Sequence, residues 1–97
     1  MKRILVVDDE RQITRMLRAS LQSSGYEVVV ANNGLEALER VRDSTPDLII
    51  TDLVMPEMNG VELTQAIRQD TDTPIIVLSV RDNEITKIKA LDRGADD

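Results

Sequence analysis

Three acidic or hydroxyl stations stand at the ends of short apolar runs in this chain. Ile4-Leu5-Val6-Val7 leads into Asp8-Asp9, Leu48-Ile49-Ile50-Thr51 into Asp52, and Ile75-Ile76-Val77-Leu78 into Ser79. If the segments bearing Asp8-Asp9 and Asp52 are neighbouring strands, three carboxylates share one cleft and repel one another. A hard divalent cation relieves that repulsion, and an all-oxygen site with few protein ligands and several waters suits Mg²⁺, at about 2.0–2.1 Å per ligand. Ser79 offers a hydroxyl to the same cleft. Asp52 is then placed to attack a phosphoryl group as a carboxylate nucleophile, with metal and hydroxyl stabilising charge on the transferred oxygens. Each station also has a plainer use. Asp8-Asp9-Glu10 can cap and charge-complement a following helix, Asp52 can be a loop acid, and Ser79 a strand-end hydroxyl. Their joint placement favours the cleft.

The elements that must position these groups follow from periodicity. Val- and Ile-rich runs alternating with helix-length amphipathic segments indicate buried parallel strands of an α/β sheet, which binds ligands beyond the carboxyl ends of its strands. After the first strand, Ile13, Met16, Leu17 and Leu21 repeat at helical spacing, and Ser23-Ser24-Gly25 supplies the stop, with Gly25 able to take a left-handed cap. Tyr26 to Val30 forms the second strand. Asn32 or Asn33 caps a helix through Leu35, Leu38 and Val41. Thr45-Pro46-Asp47 turns into the third strand, a loop from Leu53 to Gly60 follows, and Val61, Leu63, Ala66 and Ile67 mark the third helix. Thr73-Pro74 starts the fourth strand. From Asp82-Asn83-Glu84 a fourth helix is expected, with Ile85, Ile88 and Leu91 inward and Gly94 as terminator.

Composition narrows the function further. The chain has 97 residues, enough for one small domain, spanning 1–97, with one site. It has no cysteine or histidine, which removes disulfides, Cys/His zinc sites and the ordinary neutral-pH base and fits a reducing, cytoplasmic setting. The apolar run after Met1-Lys2-Arg3 is too short for a signal peptide or membrane span. A net charge of −6 with Tyr26 as the only aromatic residue argues against direct nucleic-acid contact. No glycine-rich phosphate loop follows the first strand. An aspartate-nucleophile phosphatase would carry a second Asp where Val54 stands.

Five ordered motifs carry a family resemblance: Ile4-Leu5-Val6-Val7-Asp8-Asp9-Glu10, Pro46-Asp47-Leu48-Ile49-Ile50-Thr51-Asp52, Met55-Pro56-Glu57-Met58-Asn59-Gly60, Pro74-Ile75-Ile76-Val77-Leu78-Ser79 and Gly94-Ala95-Asp96-Asp97. The chain resembles the receiver domain of two-component response regulators, most of all receivers attached to winged-helix transcription factors. The resemblance implies a flavodoxin-like three-layer α/β fold whose strand order 2-1-3-4 sets the first and third strands side by side. It implies that Asp52 is the phosphoacceptor for a sensor histidine kinase. Asp8 and Asp9 would hold Mg²⁺ with Asp52 and the backbone carbonyl of Val54. Ser79 would be the switch hydroxyl, Pro56 and Gly60 would shape the cleft through fixed and free backbone angles, and Val54 and Arg81 would tune water attack on the acyl phosphate. Such a domain is a signalling switch rather than a turnover enzyme.

The sequence departs from the family after Asp97. The expected fifth strand and last helix, the switch aromatic and the Lys that pairs with the phosphoryl group do not follow. Lys2 precedes the first strand, and Lys87 and Lys89 fall on the expected fourth helix, so none replaces that Lys. The expectation is a truncated receiver with an exposed fourth-strand edge and a partly uncovered first helix, prone to self-association as a dimer, by strand swapping among other routes. The alternative is a phosphorylation-incompetent, receiver-like interaction or dimerisation module.

Overall fold

The computed structural model describes residues 2–52, 58–81 and 84–88, with side chains up to residue 78. Strands β1 (Arg3–Val7), β2 (Glu27–Ala31), β3 (Leu48–Asp52) and β4 (Ile75–Arg81) alternate with helices α1 (Arg11–Ser23), α2 (Gly34–Ser44) and α3 (Gly60–Arg68), and β5 (Glu84–Ile88) comes last. The sheet order is β2-β1-β3-β4-β5. Its first four strands are parallel in the expected order, with Val7 beside Ala31 on one side and Thr51 on the other.

Why the runs are apolar throughout is clear from where alternate residues go. Leu5, Val7, Ile49, Ile75 and Val77 face a core closed by Ala37 and Val41 of α2 and Leu63 and Ile67 of α3. Ile4, Val6 and Val28 face the other way and meet Leu17 and Leu21 of α1. Both faces of β1 are therefore covered by helices, which is what a parallel sheet demands.

The helix ends follow local chemistry. Gly25 takes φ +95 after α1, as the cap there requires. Asn33, not Asn32, caps α2, its side chain accepting from Glu36 N–H at 2.8 Å, while Glu36 Oε1 accepts from Asn32 N–H at 3.1 Å. Asn59 and Glu62 form a reciprocal capping box that opens α3.

Two expectations are corrected. Met16 is 48% exposed, and the only fully buried residue of α1 is Thr14. At about 100° per residue the inward stripe runs through Ile13, Leu17, Leu21 and Thr14, and Met16 falls outside it. Residues 84–88, expected to be helical, instead pair antiparallel with β4, from Arg81 opposite Glu84 to Val77 opposite Ile88. The β4 edge offers unpaired backbone groups, and Ile85, Thr86 and Ile88 are β-branched residues suited to a pleated edge. The edge expected to stand open for strand swapping is thus filled from within the chain. Asp82, Asn83, Leu91 and Gly94 of the expected helix lie outside the described residues, as do Lys89, Asp96 and Asp97.

Candidate functional site

Strand register builds the site. Val7 lies beside Thr51, so Asp8, which follows β1, and Asp52, which ends β3, are next along two adjacent strands. This is also where the strand order reverses, the place at which open α/β sheets form a crevice. Asp9 extends the cluster, and one carboxylate oxygen from each of Asp8, Asp9 and Asp52 lies within 4.8 Å of the others.

The three acids differ in environment. Asp8 is buried, Asp52 partly buried and Asp9 exposed. The Asp8 backbone is tied to β2 through its N–H, which donates to the Ala31 carbonyl at 3.1 Å. Its Oδ1 accepts from the Glu10 N–H at 2.8 Å, which orients the carboxylate. Burial pushes the Asp8 pKa up to about 6; the Glu10 hydrogen bond opposes the rise, and the charges of Asp52, Asp9 and Glu10 add to it. No side-chain cap bond supports the helix-capping alternative, although Glu10 remains an acid at the positive end of α1. Glu10 occupies the cap position of α1 without a side-chain cap bond, and the first turn of α1 holds no acid.

The remaining candidates fall around this cluster or outside the described residues. Asp52 pairs in register with Leu78, so Ser79 is one residue further along β4 and itself lies opposite Thr86. Arg81 ends β4 opposite Glu84. Val54 and Pro56 lie outside the described residues. Gly60 is buried as the first residue of α3, and its φ is not in the left-handed region, so the expected use of glycine's backbone freedom there is corrected. Lys87 lies on β5 opposite Leu78 rather than on a helix.

Three supporting residues escaped sequence reasoning. Thr51 is fully buried, and its hydroxyl donates to the Asp52 carbonyl at 3.1 Å. A Cβ built on Gly34 would stand 2.7 Å from Met58 Sδ and 3.0 Å from its Cβ, so glycine at the start of α2 makes room for Met58. No spacing rule signals that contact. Asn59 falls within the expected loop from Leu53 to Gly60, although its place three residues before Glu62 is a legible capping signal.

The likenesses to known proteins agree with this geometry. The chain matches the family described as Response regulator receiver domain over residues 4–97. The transcriptional regulatory protein CpxR of Escherichia coli K12 is 41% identical over 97 residues, covering 100% of this chain and 41% of that protein. The chain thus spans about two-fifths of such a curated relative. The receiver domain of the Francisella response regulator 1452 superposes with a TM-score of 0.85 at 30% identity, covering 100% of this chain and 81% of that one. Response regulator TrrA of Thermotoga maritima, solved in complex with Mg²⁺-BeF, gives 0.79 at 44% identity over 84% of this chain and 72% of that one. With the family match reaching from the first apolar run to the last residue, the chain belongs to the receiver domain family of two-component response regulators.

Proposed function

We propose that this domain accepts a phosphoryl group on Asp52 from a sensor histidine kinase in a Mg²⁺-dependent reaction. The meeting of Asp8, Asp9 and Asp52 with oxygens within 4.8 Å of one another carries this reading. The donor set is all oxygen and graded in exposure, from one buried and oriented carboxylate to one open to water, which suits an ion that keeps several waters. Asp8, Asp9, Asp52 and the Val54 carbonyl would hold Mg²⁺, which would supply charge neutralisation for the transferred oxygens.

An Asp52 carboxylate oxygen attacks phosphorus and forms a P–O bond. The P–N bond to the donor histidine breaks, its electron pair stays on the imidazole, and an acyl phosphate remains on Asp52. Ser79 donates its hydroxyl to the phosphoryl group as the switch, and Pro56 and Gly60 shape the cleft. Val54 is apolar and orients no water, so the acyl phosphate is long-lived. Its half-life should exceed that of a Val54→Asn variant, and an equal or shorter one would remove Val54 from the tuning of hydrolysis, a role proposed also for Arg81. Residues 1–97 act as a single cytoplasmic domain whose phosphorylation changes its contacts with an output domain, a partner or a second copy. Among the described residues no helix is long and apolar enough to cross a membrane.

Intact-mass spectrometry after incubation with acetyl phosphate and Mg²⁺ tests the proposal. The expected result is a gain of one phosphoryl group that requires Mg²⁺ and vanishes in Asp52→Asn. No gain in a folded sample would overturn it and leave an interaction module on a receiver scaffold.

A further inference from the structure

We propose that a groove between α1 and the end of β2 binds a phosphate-bearing oligoanion, the chemistry of pyrophosphate, tripolyphosphate or the phosphate chain of a nucleotide. Arg11, Arg15 and Arg18 sit at spacings of four and three residues on α1 and fall within about 60° of one another around the helix. They reach along about 10.5 Å of its length. The three line a hollow of about 200 Å³ together with Thr14, Val30 and Asn32.

The charge arrangement is the informative part. The chain carries −6 overall, yet this hollow has three guanidinium groups and no carboxylate in its lining. Arg3 pairs with Glu27 and Arg42 with Asp70, whereas no ion pair engages Arg11, Arg15 or Arg18 among the described residues. Like charges at such spacings on one helix repel. An anion seated between them removes that repulsion.

Shape and donor chemistry choose the class of anion. Guanidinium forks bind phosphate oxygens two at a time, and three forks around a concavity suit several adjoining phosphate groups. The Asn32 side chain, which makes no hydrogen bond among the described residues, adds an amide donor at the wall. Thr14 is buried beneath, its hydroxyl held by the Arg11 carbonyl at 3.1 Å, so the floor is fixed. A flat acidic protein surface would touch only the rim. The carboxylate cluster at the ends of β1 and β3 repels the same anion, so the two sites are distinguishable by which amides respond.

The test is an amide and arginine side-chain NMR titration of the full chain in metal-free buffer, with tripolyphosphate, pyrophosphate and a poly-glutamate peptide as probes. Tripolyphosphate should shift Thr14, Val30, Asn32 and the three arginine Nε signals saturably. Binding should weaken at least tenfold in Arg11→Gln/Arg15→Gln/Arg18→Gln and about threefold in Arg15→Gln alone, with the remaining amides unmoved. The corresponding triple Lys variant, which keeps charge but loses the forks, should fall between. Unsaturable shifts, equal affinity in the triple Gln variant, or shifts elsewhere would overturn the proposal. Equally tight poly-glutamate binding at the same amides would also overturn it, assigning the groove to an acidic protein partner.

Discussion

The two ends of the sheet are built on opposite electrostatic plans. At the amino end of β1, Arg3 ties neighbouring segments together. Its N–H donates to Asp47 Oδ2 at 2.9 Å, its guanidinium donates to the Ser44 carbonyl, and it pairs with Glu27 at 3.2 Å. Nearby, Arg68 donates to the carbonyls of Thr71 at 3.1 Å and Thr73 at 2.5 Å, closing the turn before β4. At the carboxyl end, three carboxylates crowd together, and burial, with their repulsion added, drives Asp8 to a pKa of about 6. One end spends its charges on holding the fold. The other stores repulsion that a cation or a proton relieves.

The largest expected effect comes from removing the Asp8 charge, which burial penalises first and the neighbouring carboxylates second. Asp8 titrates at about 6 in the fold against 3.8 when unperturbed, so the folded state binds the extra proton between those values. Stability of the metal-free protein is therefore fullest below pH 3.8 as far as Asp8 is concerned and is lost as pH rises through 6, by at most about 3 kcal/mol. Asp8→Asn keeps an oxygen to accept from Glu10 and drops the charge. Urea unfolding with no metal present should show it more stable than the parent at pH 7 by up to that amount, with the gap closing near pH 4. A variant no more stable than the parent at pH 7 would break the contrast between the two ends.

Damage at the other end should have the opposite sign. Arg3→Ala leaves the Ser44 carbonyl and Glu27 without their partner and should cost about 2 kcal/mol at pH 7. Mg²⁺ affinity, read by calorimetry, should not change; a parallel loss of both would mean that the ends are coupled rather than separate.

Smaller effects sharpen the carboxyl-end picture. Gly34→Ala should lose about 1–2 kcal/mol, because a Cβ there crowds Met58 and the first position of α2 gains little from Ala's preference for helix interiors. In a Met58→Ala background the same substitution should become near neutral, and thermal unfolding of the four proteins decides it. Asn59→Ala removes the capping box of α3 and should cost about 1 kcal/mol in the same assay. A cost near zero would mean that solvent replaces the cap without loss.

Much of this organisation is legible in the sequence because the signals are local. Each Val- and Ile-rich run became a strand, Gly25 and Asn33 took their caps, and Asp8 and Asp52 lie at strand ends as their positions imply. The misses have different causes. Residues 84–91 carry Ile85, Ile88 and Leu91 at helical spacing and also β-branched residues at 85, 86 and 88, so local pattern supports either state. Pairing with β4 decided it for Glu84–Ile88. Met16 is apolar and three residues after Ile13, yet its angle on the helix places it outside the inward stripe.

What the sequence by itself determined is the set of elements and the chemistry at their ends: apolar runs long enough to be strands, caps that begin and end helices, and acids at two turns. Only the tertiary structure decided that Asp8 and Asp52 meet, that Asp8 loses most of its water, that Gly34 must yield to Met58, and that β4 gains an antiparallel neighbour. Propensity, capping and periodicity act between residues close in the chain, whereas carboxylate repulsion, desolvation and edge pairing arise only between segments that folding brings together.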